Sequence, residues 1–121
     1  MQYLVLIYSA EGAQPADAER VGGMMVEYND YTTMLRDNGH LLAGEALQPT
    51  STATTVRVRD GQTITTDGPF AETKEALGGF YLIEAKDLDE ALRLGGACPG
   101  AKWGSIEVRP IVDFAAGQVP A

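Results

Sequence analysis

The sequence predicts an α+β fold of the ferredoxin-like kind, a split βαβ pair with an inserted β-hairpin. Three observations lead to this prediction. Short apolar runs rich in strand-forming residues occupy residues 3–8 and 79–85, and such runs are typical of central strands. Apolar residues recur at helical spacing in two other segments. The pair Asp60-Gly61 stands between two alternating segments, which favours a tight hairpin turn.

The first half of the chain predicts a strand, a helix and a second strand. Both alternating sets of positions in residues 3–8 are apolar, so both faces of this strand need cover. Residues 9–17 are predicted to form a loop. After it, the spacing of Val21, Met24, Met25, Tyr28 and Leu35 predicts one amphipathic helix. Gly39 ends this helix, because the position after a C-cap favours a left-handed residue. Residues 41–47 form the second strand, and Pro49 ends it.

The second half predicts a hairpin, a strand, a helix and a last strand. Residues 52–59 alternate valine with arginine and return through residues 63–66. Residues 79–85 are a central strand, and Asp87 with Glu90 three positions later is an N-terminal cap for a second helix. The last strand covers residues 105–111. We expect a single domain over residues 1–112 and a flexible C-terminal tail over residues 113–121.

This order of elements leaves one face of the sheet uncovered. The two helices of a split βαβ pair cover the same face of a four-stranded antiparallel sheet. The strands at residues 3–8 and 79–85 are apolar on both faces. We therefore expect a homodimer that covers the second face, since closed twofold dimers are the commonest oligomers.

Composition excludes several classes of partner. The chain has 121 residues and a formal net charge of -8, with nine Lys and Arg. Such a charge repels a phosphate backbone, so we expect no nucleic acid partner and no binding to anionic membranes. Cys98 is the single cysteine, which suits a reducing cytoplasm. No metal-ligand spacing and no phosphate-binding glycine loop is present, so no metal or cofactor is predicted.

The most heavily charged turn, residues 66–75, reads TDGPFAETKE. Loops on a rigid scaffold often carry binding and catalytic groups. Asp67 and Glu72 are candidate catalytic acids or bases, and the neighbouring candidates for substrate binding are Gly68, Pro69, Phe70 and Lys74. The alternative is structural: Asp67 accepts backbone hydrogen bonds while Lys74 pairs with a neighbouring glutamate.

Glu107 and Arg109 are two residues apart on the last strand, so their side chains share one face. Arg109 could bind a carboxylate of a substrate, and Glu107 could titrate as a catalytic group. The alternative is a solvated strand face, or a pair between Arg109 and Glu45 or Asp67. For a site, these residues and Glu72 would have to converge on one cavity.

Three further side chains invite comparison with ordinary structural roles. Tyr28 is a candidate catalytic phenol, although a helix core also uses tyrosines in this way. Cys98 has no neighbour in sequence that would lower its pKa, which favours a packed thiol. His40 follows the helix end, where we expect a surface position, although imidazole is a good general base near neutral pH.

Four segments in order, TDGPFAETKE, LGGFYLIEA, DEALRLGGACP and GSIEVRPI, resemble the DGPF group of the YCII-related family. The resemblance runs from the first strand to Ile111 and implies a dimeric α+β barrel, in which two halves pack sheet to sheet. An active site proposed for the wider family uses a His in the first helix and an Asp near the end of the second. This chain has Tyr28 and Cys98 at those places and departs from that pattern.

The resemblance also implies two kinds of role. Some relatives are dehalogenases of chlorinated aromatic intermediates, and DGPF proteins are often encoded beside sigma factors. We therefore expect a homodimer that binds a small molecule in a barrel cleft, with acid–base candidates Asp67, Glu72, Glu107 and Tyr28, and with Arg109 and Glu45 at the ligand. The alternative is a non-enzymatic sensing or interaction module linked to a sigma-factor-type regulator, in which Asp67 and Arg109 bond within the protein. A weaker third hypothesis is a dehalogenase or monooxygenase of aromatic compounds.

Overall fold

The computed structural model describes residues 1–12 and 17–120. Residues 13–16 of the predicted loop and residue 121 of the predicted tail lie outside the described residues. The regular elements are β1 (Gln2–Ser9), α1 (Ala18–Asp37), β2 (Leu41–Ala46), β3 (Thr54–Arg59), β4 (Gln62–Asp67), β5 (Ala76–Glu84), α2 (Leu88–Gly96) and β6 (Ser105–Pro110). Short 3₁₀ turns cover Thr50–Thr52, Pro99–Lys102 and Phe114–Ala116.

Four strands form one antiparallel sheet in the order β2-β5-β1-β6, and β3 with β4 forms a separate two-stranded sheet. The predicted α+β fold with two helices and antiparallel sheets is therefore confirmed. The two central strands, β1 and β5, are the two continuous apolar runs of the sequence. No helix within the described residues is long and apolar enough to cross a lipid bilayer.

The predicted helix ends are confirmed by their hydrogen bonds. Asp17 caps α1 by accepting from the Arg20 amide at 2.9 Å, and Gly39 after its C-terminus has a φ of 76°. Asp87 caps α2 by accepting from the Glu90 amide at 2.9 Å. Glu90 Oε1 accepts from the Lys86 amide at 3.1 Å. The reciprocal bond of this capping box thus reaches one residue further back than usual.

The predicted hairpin is also confirmed. Asp60 and Gly61 have positive φ values of 52° and 76°, as the favoured two-residue turn requires. At its base, the Gly68 amide donates to the Ala53 carbonyl at 2.7 Å, and Thr55 Oγ1 donates to the Gly68 carbonyl at 2.8 Å. The hairpin otherwise projects from the body, and every residue of β4 is exposed.

The core lies between the helices and one face of the four-stranded sheet. Val5, Leu35 and Ile83 are fully buried there. Tyr31 donates its hydroxyl to the Leu94 carbonyl at 2.7 Å and packs edge-on against the ring of Tyr81, with centroids 5.3 Å apart. Each large apolar side chain buried in this way contributes about 1.5–3 kcal/mol to folding.

None of the helices in the described part of the chain lies over the other face of the sheet. Strand register places two rows of side chains there, Glu45–Phe80–Leu6–Glu107 and Ala43–Leu82–Leu4–Arg109. We call these two rows the open face. Its centre is apolar and its margins are charged. The predicted alternation of β6 is confirmed, because Ile106 and Val108 pack against the core on the opposite side.

Candidate functional site

A hollow of about 530 Å³ lies between the middle of α1 and the sheet. Its walls come from α1, β1, β2, β5 and the loop before β6, and most of its lining is apolar. We call it the α1 hollow. Its lining includes Met24, Met25, Tyr28, Thr32, Tyr81 and Trp103.

Glycines in the strands make room for the aromatic wall of the α1 hollow. A Cβ on Gly44 would lie 2.8 Å from Cδ1 of Tyr81, its partner across the β2–β5 pair. The ring of Tyr81 therefore lies against the bare backbone of Gly44. On the next helix-facing pair, a Cβ on Gly79 would lie 2.9 Å from the Glu45 carbonyl oxygen, so this position also requires glycine.

Four residues that line the α1 hollow carry a hydroxyl group: Ser9, Tyr28, Thr32 and Tyr81. Thr32 Oγ1 and Tyr81 Oη are hydrogen-bonded at 2.8 Å. Tyr28 Oη lies 3.9 Å from Cys98 Sγ. A Cβ on Gly100 would lie 2.7 Å from Tyr28 Oη, so Gly100 leaves space for this hydroxyl. The α1 hollow thus combines apolar walls with a few hydroxyls, as small-molecule sites commonly do.

Trp103 forms a wall of the α1 hollow and is fixed by its neighbours in sequence. Lys102 forms an ion pair with Glu27 of α1, and its ammonium lies 5.7 Å from the centre of the Trp103 ring. Gly104 packs so closely on β1 that a Cβ there would lie 2.1 Å from the Tyr8 carbonyl oxygen. These contacts tie the loop both to the helix and to the sheet.

The phenols of the α1 hollow are neutral at physiological pH. Burial raises the pKa of Tyr28 above its ordinary value, and the neighbouring Cys98 raises it further. Burial likewise raises the pKa of Tyr81 and of the Cys98 thiol. Neutral phenols donate hydrogen bonds and do not act as bases, and a protonated thiol is a poor nucleophile.

These shifts predict a loss of stability in alkali. Unfolded Cys98 and unfolded tyrosines lose protons near pH 9.0 and pH 10.0, whereas their raised pKa values keep them protonated in the folded chain. The unfolded state therefore binds fewer protons, and the free energy of unfolding falls with rising pH by up to about 1.4 kcal/mol per pH unit for each group. Urea unfolding between about pH 8 and about pH 11 measures this slope.

The variant Tyr28→Phe removes one of these groups and should flatten the decline above the tyrosine pKa of 10.0. Parallel declines for the wild-type chain and the variant would contradict the assigned shift of Tyr28.

A second hollow, of about 410 Å³, lies beside the charged turn. Gly68, Pro69 and Glu72 line it together with Glu11 and Thr50. Glu11 accepts hydrogen bonds from the Thr50 amide at 2.7 Å and from the Thr50 hydroxyl at 2.8 Å. Both bonds lower the pKa of Glu11, and the bond from the Thr50 amide has the larger effect. Glu11 thereby holds the loop after β2 against the end of β1.

Only some of the candidate residues of the charged turn line a hollow. Asp67, Phe70 and Lys74 line neither of the two hollows. Gly68 has a φ of 95°, which accounts for glycine at this turn position. Among the described residues, no ion pair joins Lys74 to Glu72 or Glu75.

The remaining candidates lie in two further places. Tyr28 and Glu45 line the α1 hollow. Glu45 lines it through the strand backbone, because its register with Phe80 puts its side chain on the open face. Glu107 and Arg109 are also on the open face and are paired with each other at 2.6 Å. A single chain therefore does not bring the carboxylates and Arg109 to one cavity.

Several lining residues of the α1 hollow were not among the sequence candidates. Met24, Met25 and Thr32 fall on the helix periodicity, which marks a core stripe and a pocket wall in the same way. Tyr81 lies inside a strand pattern. Trp103 gave the one available signal, a large aromatic residue in a short loop beside a glycine.

His40 lies outside the α1 hollow, and the described residues offer no cluster for a metal ion. His40, expected at the surface, is partly buried, and its Nδ1 lies 2.8 Å from the Glu84 carbonyl oxygen, with Glu90 Oε1 at 3.9 Å. Its ring is thus held by the end of β5 and by α2. Among the described residues, no group of three or more His, Cys, Asp and Glu could hold a metal ion.

This chain is similar to a known domain family, to a full-length relative and to a solved structure. The YCII-related domain matches residues 1–115. An uncharacterised protein of Rhizobium meliloti (strain 1021) is 40% identical over 126 residues, and the match covers 100% of both chains. A solved structure of 5-chloro-2-hydroxyhydroquinone dehydrochlorinase from Burkholderia phenoliruptrix AC1100, in complex with 2,5-dihydroxybenzoquinone, is 17% identical with a TM-score of 0.53, over 95% of this chain and 98% of that chain. At this identity the last likeness concerns the fold alone. The extent of the domain match and the full-length relative show that the chain belongs to the YCII-related family.

Proposed function

We propose that the chain forms a homodimer whose subunits each bind a small, neutral ring compound with hydroxyl or carbonyl groups in the α1 hollow. The observation that carries this proposal is the placement of the Tyr28, Thr32 and Tyr81 hydroxyls in a mostly apolar wall. Hydroxyls of this kind orient a polar substituent, while the apolar side chains bury a ring.

Size and charge define the class of ligand. A volume of about 530 Å³ falls within the range of about 300–1,000 Å³ that is usual for small-molecule sites. The lining residues include no Lys, Arg or His, and the chain has a net charge of -8. A carboxylate ligand would therefore enter an apolar wall without a cation to pair with it, which is costly. A neutral hydroxylated ring has no such cost.

The solved structure of similar fold supports the kind of ligand but not a reaction. The molecule bound in that structure, 2,5-dihydroxybenzoquinone, is a hydroxylated quinone and thus a small ring compound. A dehydrochlorinase activity does not transfer on fold likeness, because one fold hosts many chemistries. Among the predicted acid–base residues, Tyr28 lines the α1 hollow. It is a neutral phenol that can donate a hydrogen bond to a carbonyl oxygen. Acid–base chemistry by Asp67, Glu72 or Glu107 would need a second chain to bring one of them to the hollow.

The open face supports the homodimer. Leu4, Phe80 and Leu82 form a partly buried apolar centre beside Leu6, which is already buried, and no helix of the described residues covers this centre. A second copy related by a twofold axis would cover it with the same surface, giving a barrel of two sheets packed face to face. The charged margins Glu45, Glu107 and Arg109 would then lie at the rim of the interface.

Binding of naphthol tests the proposed ligand class. Naphthol is a neutral fluorescent ring with one hydroxyl, and naphthoate is the matched ring with a carboxylate. We expect naphthol to saturate the protein and to bind at least about tenfold more tightly than naphthoate, since an unpaired buried charge is costly. Tyr28→Phe should weaken naphthol binding by about fivefold, the worth of one hydrogen bond of about 1 kcal/mol. Fluorescence titration gives both dissociation constants.

The matched control is Tyr3→Phe. Tyr3 is buried in the core, outside the α1 hollow, and its hydroxyl lies 3.8 Å from the sulfur of Met1. This variant should bind naphthol as the wild-type chain does. Equal or tighter binding of naphthoate, or equal losses from Tyr28→Phe and Tyr3→Phe, would overturn the proposed site.

A second candidate function draws on the hairpin. Val56 and Val58 on one of its faces are 62% and 61% exposed, and Phe70 beyond its end is 77% exposed. Exposed apolar groups on a projecting element favour an interaction with another protein. We propose a sigma-factor-type regulator as the alternative partner. Replacing Val56 and Val58 by serine should abolish such a complex in a two-component binding assay and leave naphthol binding intact.

A further inference from the structure

We infer that the first two turns of α1, Ala18–Met25, wind and unwind, and that a ligand in the α1 hollow selects the wound state. This inference rests on the proposed function of that hollow. It concerns a mobile wall whose winding is coupled to binding, and three observations on α1 carry it.

The first observation is a difference in anchoring along α1. Its fully buried side chains are Tyr31 and Leu35, both in the C-terminal half. Tyr31 also donates to the Leu94 carbonyl at 2.7 Å, and Glu27 pairs with Lys102. Before Glu27, no side chain of the helix is buried. The N-terminal turns therefore gain little from tertiary packing, which supplies most helix stability in proteins.

The second observation is the pair Gly22-Gly23 inside these turns. A Cβ at either position would meet nothing within 4 Å. Neither glycine is required by a close approach, and neither has a positive φ. Each glycine nevertheless lowers the equilibrium constant for helix formation about fivefold relative to alanine in a helix interior. The pair lowers the stability of the winding where packing is also weakest.

The third observation connects these turns to the α1 hollow. Met24 and Met25 follow the glycines directly and line the hollow. Met25 is 59% exposed, so the wall that it helps to form has apolar surface left to bury. Methionine adapts its shape to different ligands. A ring in the hollow would contact these side chains only when the turns are wound.

The coupling has a measurable consequence. If only the wound state binds, the apparent dissociation constant exceeds the intrinsic one by the reciprocal of the wound fraction. Stabilising the winding should then tighten binding without any new contact to the ligand. The double substitution Gly22→Ala with Gly23→Ala does this, because alanine is the best helix former and both positions have space for a Cβ.

Hydrogen exchange and naphthol titration test the inference together. In the wild-type chain we expect fast exchange of the amides of residues 21–25, the first of which donates to the Asp17 carbonyl when the turns are wound, and we expect naphthol to slow it at least about tenfold. In the double alanine variant, exchange should be slow without naphthol, and the naphthol dissociation constant should fall by about threefold or more. The control is Gly96→Ala, at the end of α2, where a Cβ also meets nothing within 4 Å. It should change neither quantity.

The outcomes separate this inference from the proposed function. Absence of saturable naphthol binding to the wild-type chain would overturn both. Saturable binding with unchanged exchange over residues 21–25, or with an unchanged dissociation constant in the double variant, would overturn the winding alone.

Discussion

Gly104→Ala is expected to destabilise the protein by about 3 kcal/mol or more, the upper end of the range for overpacking. A Cβ at this position would lie 2.1 Å from the Tyr8 carbonyl oxygen and 3.1 Å from Cβ of Ser9. These atoms belong to β1, which is held between β5 and β6 and cannot move without breaking the sheet. Urea unfolding measures the change in the free energy of unfolding.

Gly96→Ala is the matched control, because open space surrounds that position. Alanine also suits a helix better than glycine, so this variant should be at least as stable as the wild-type chain. Similar stability of the two alanine variants would contradict the close packing of the loop that carries Trp103.

Leu82→Lys is expected to convert the proposed homodimer into a monomer. Leu82 pairs with Leu4 at the centre of the open face and is only partly buried in the single chain. An ammonium there can reach water in a monomer. In the proposed dimer it would be buried without a partner, once from each subunit, at a cost of several kcal/mol. Light scattering after size exclusion should give twice 12.9 kDa for the wild-type chain and 12.9 kDa for the variant.

Val58→Lys is the control for the added charge, because Val58 lies on the exposed hairpin and away from the open face. It should leave the dimer intact. A dimeric Leu82→Lys variant with a native circular dichroism spectrum would contradict the proposed interface.

The elements of the fold could be predicted because each depends on local residues. The hairpin turn followed from Asp60-Gly61, and both residues have positive φ. The end of α1 followed from Gly39, and the start of α2 from Asp87. The side-chain alternation of β6 followed from the period of a strand. Within the segment predicted as a tail, Asp113 accepts from the Ala116 amide at 3.1 Å and starts a short 3₁₀ turn.

The site was harder to predict because it depends on contacts between distant residues. Thr32 and Tyr81 are 49 positions apart and meet only when α1 crosses the sheet. Tyr28 meets Cys98, which is 70 positions away. The sequence drew attention to the charged turn, whereas the larger and more apolar hollow lies under α1. Nothing in the local pattern distinguishes a tyrosine that faces the core from one that faces a hollow beside it.

The central claim is that the α1 hollow binds a small neutral ring, and a crystal structure of the protein with naphthol tests it most directly. We predict the ring between Met24, Tyr28 and Trp103, with its hydroxyl within hydrogen-bond distance, about 2.7–3.2 Å, of Tyr28 Oη or Tyr81 Oη. Saturating naphthol with an empty α1 hollow, or with the ring at the charged turn or on the open face, would contradict the claim.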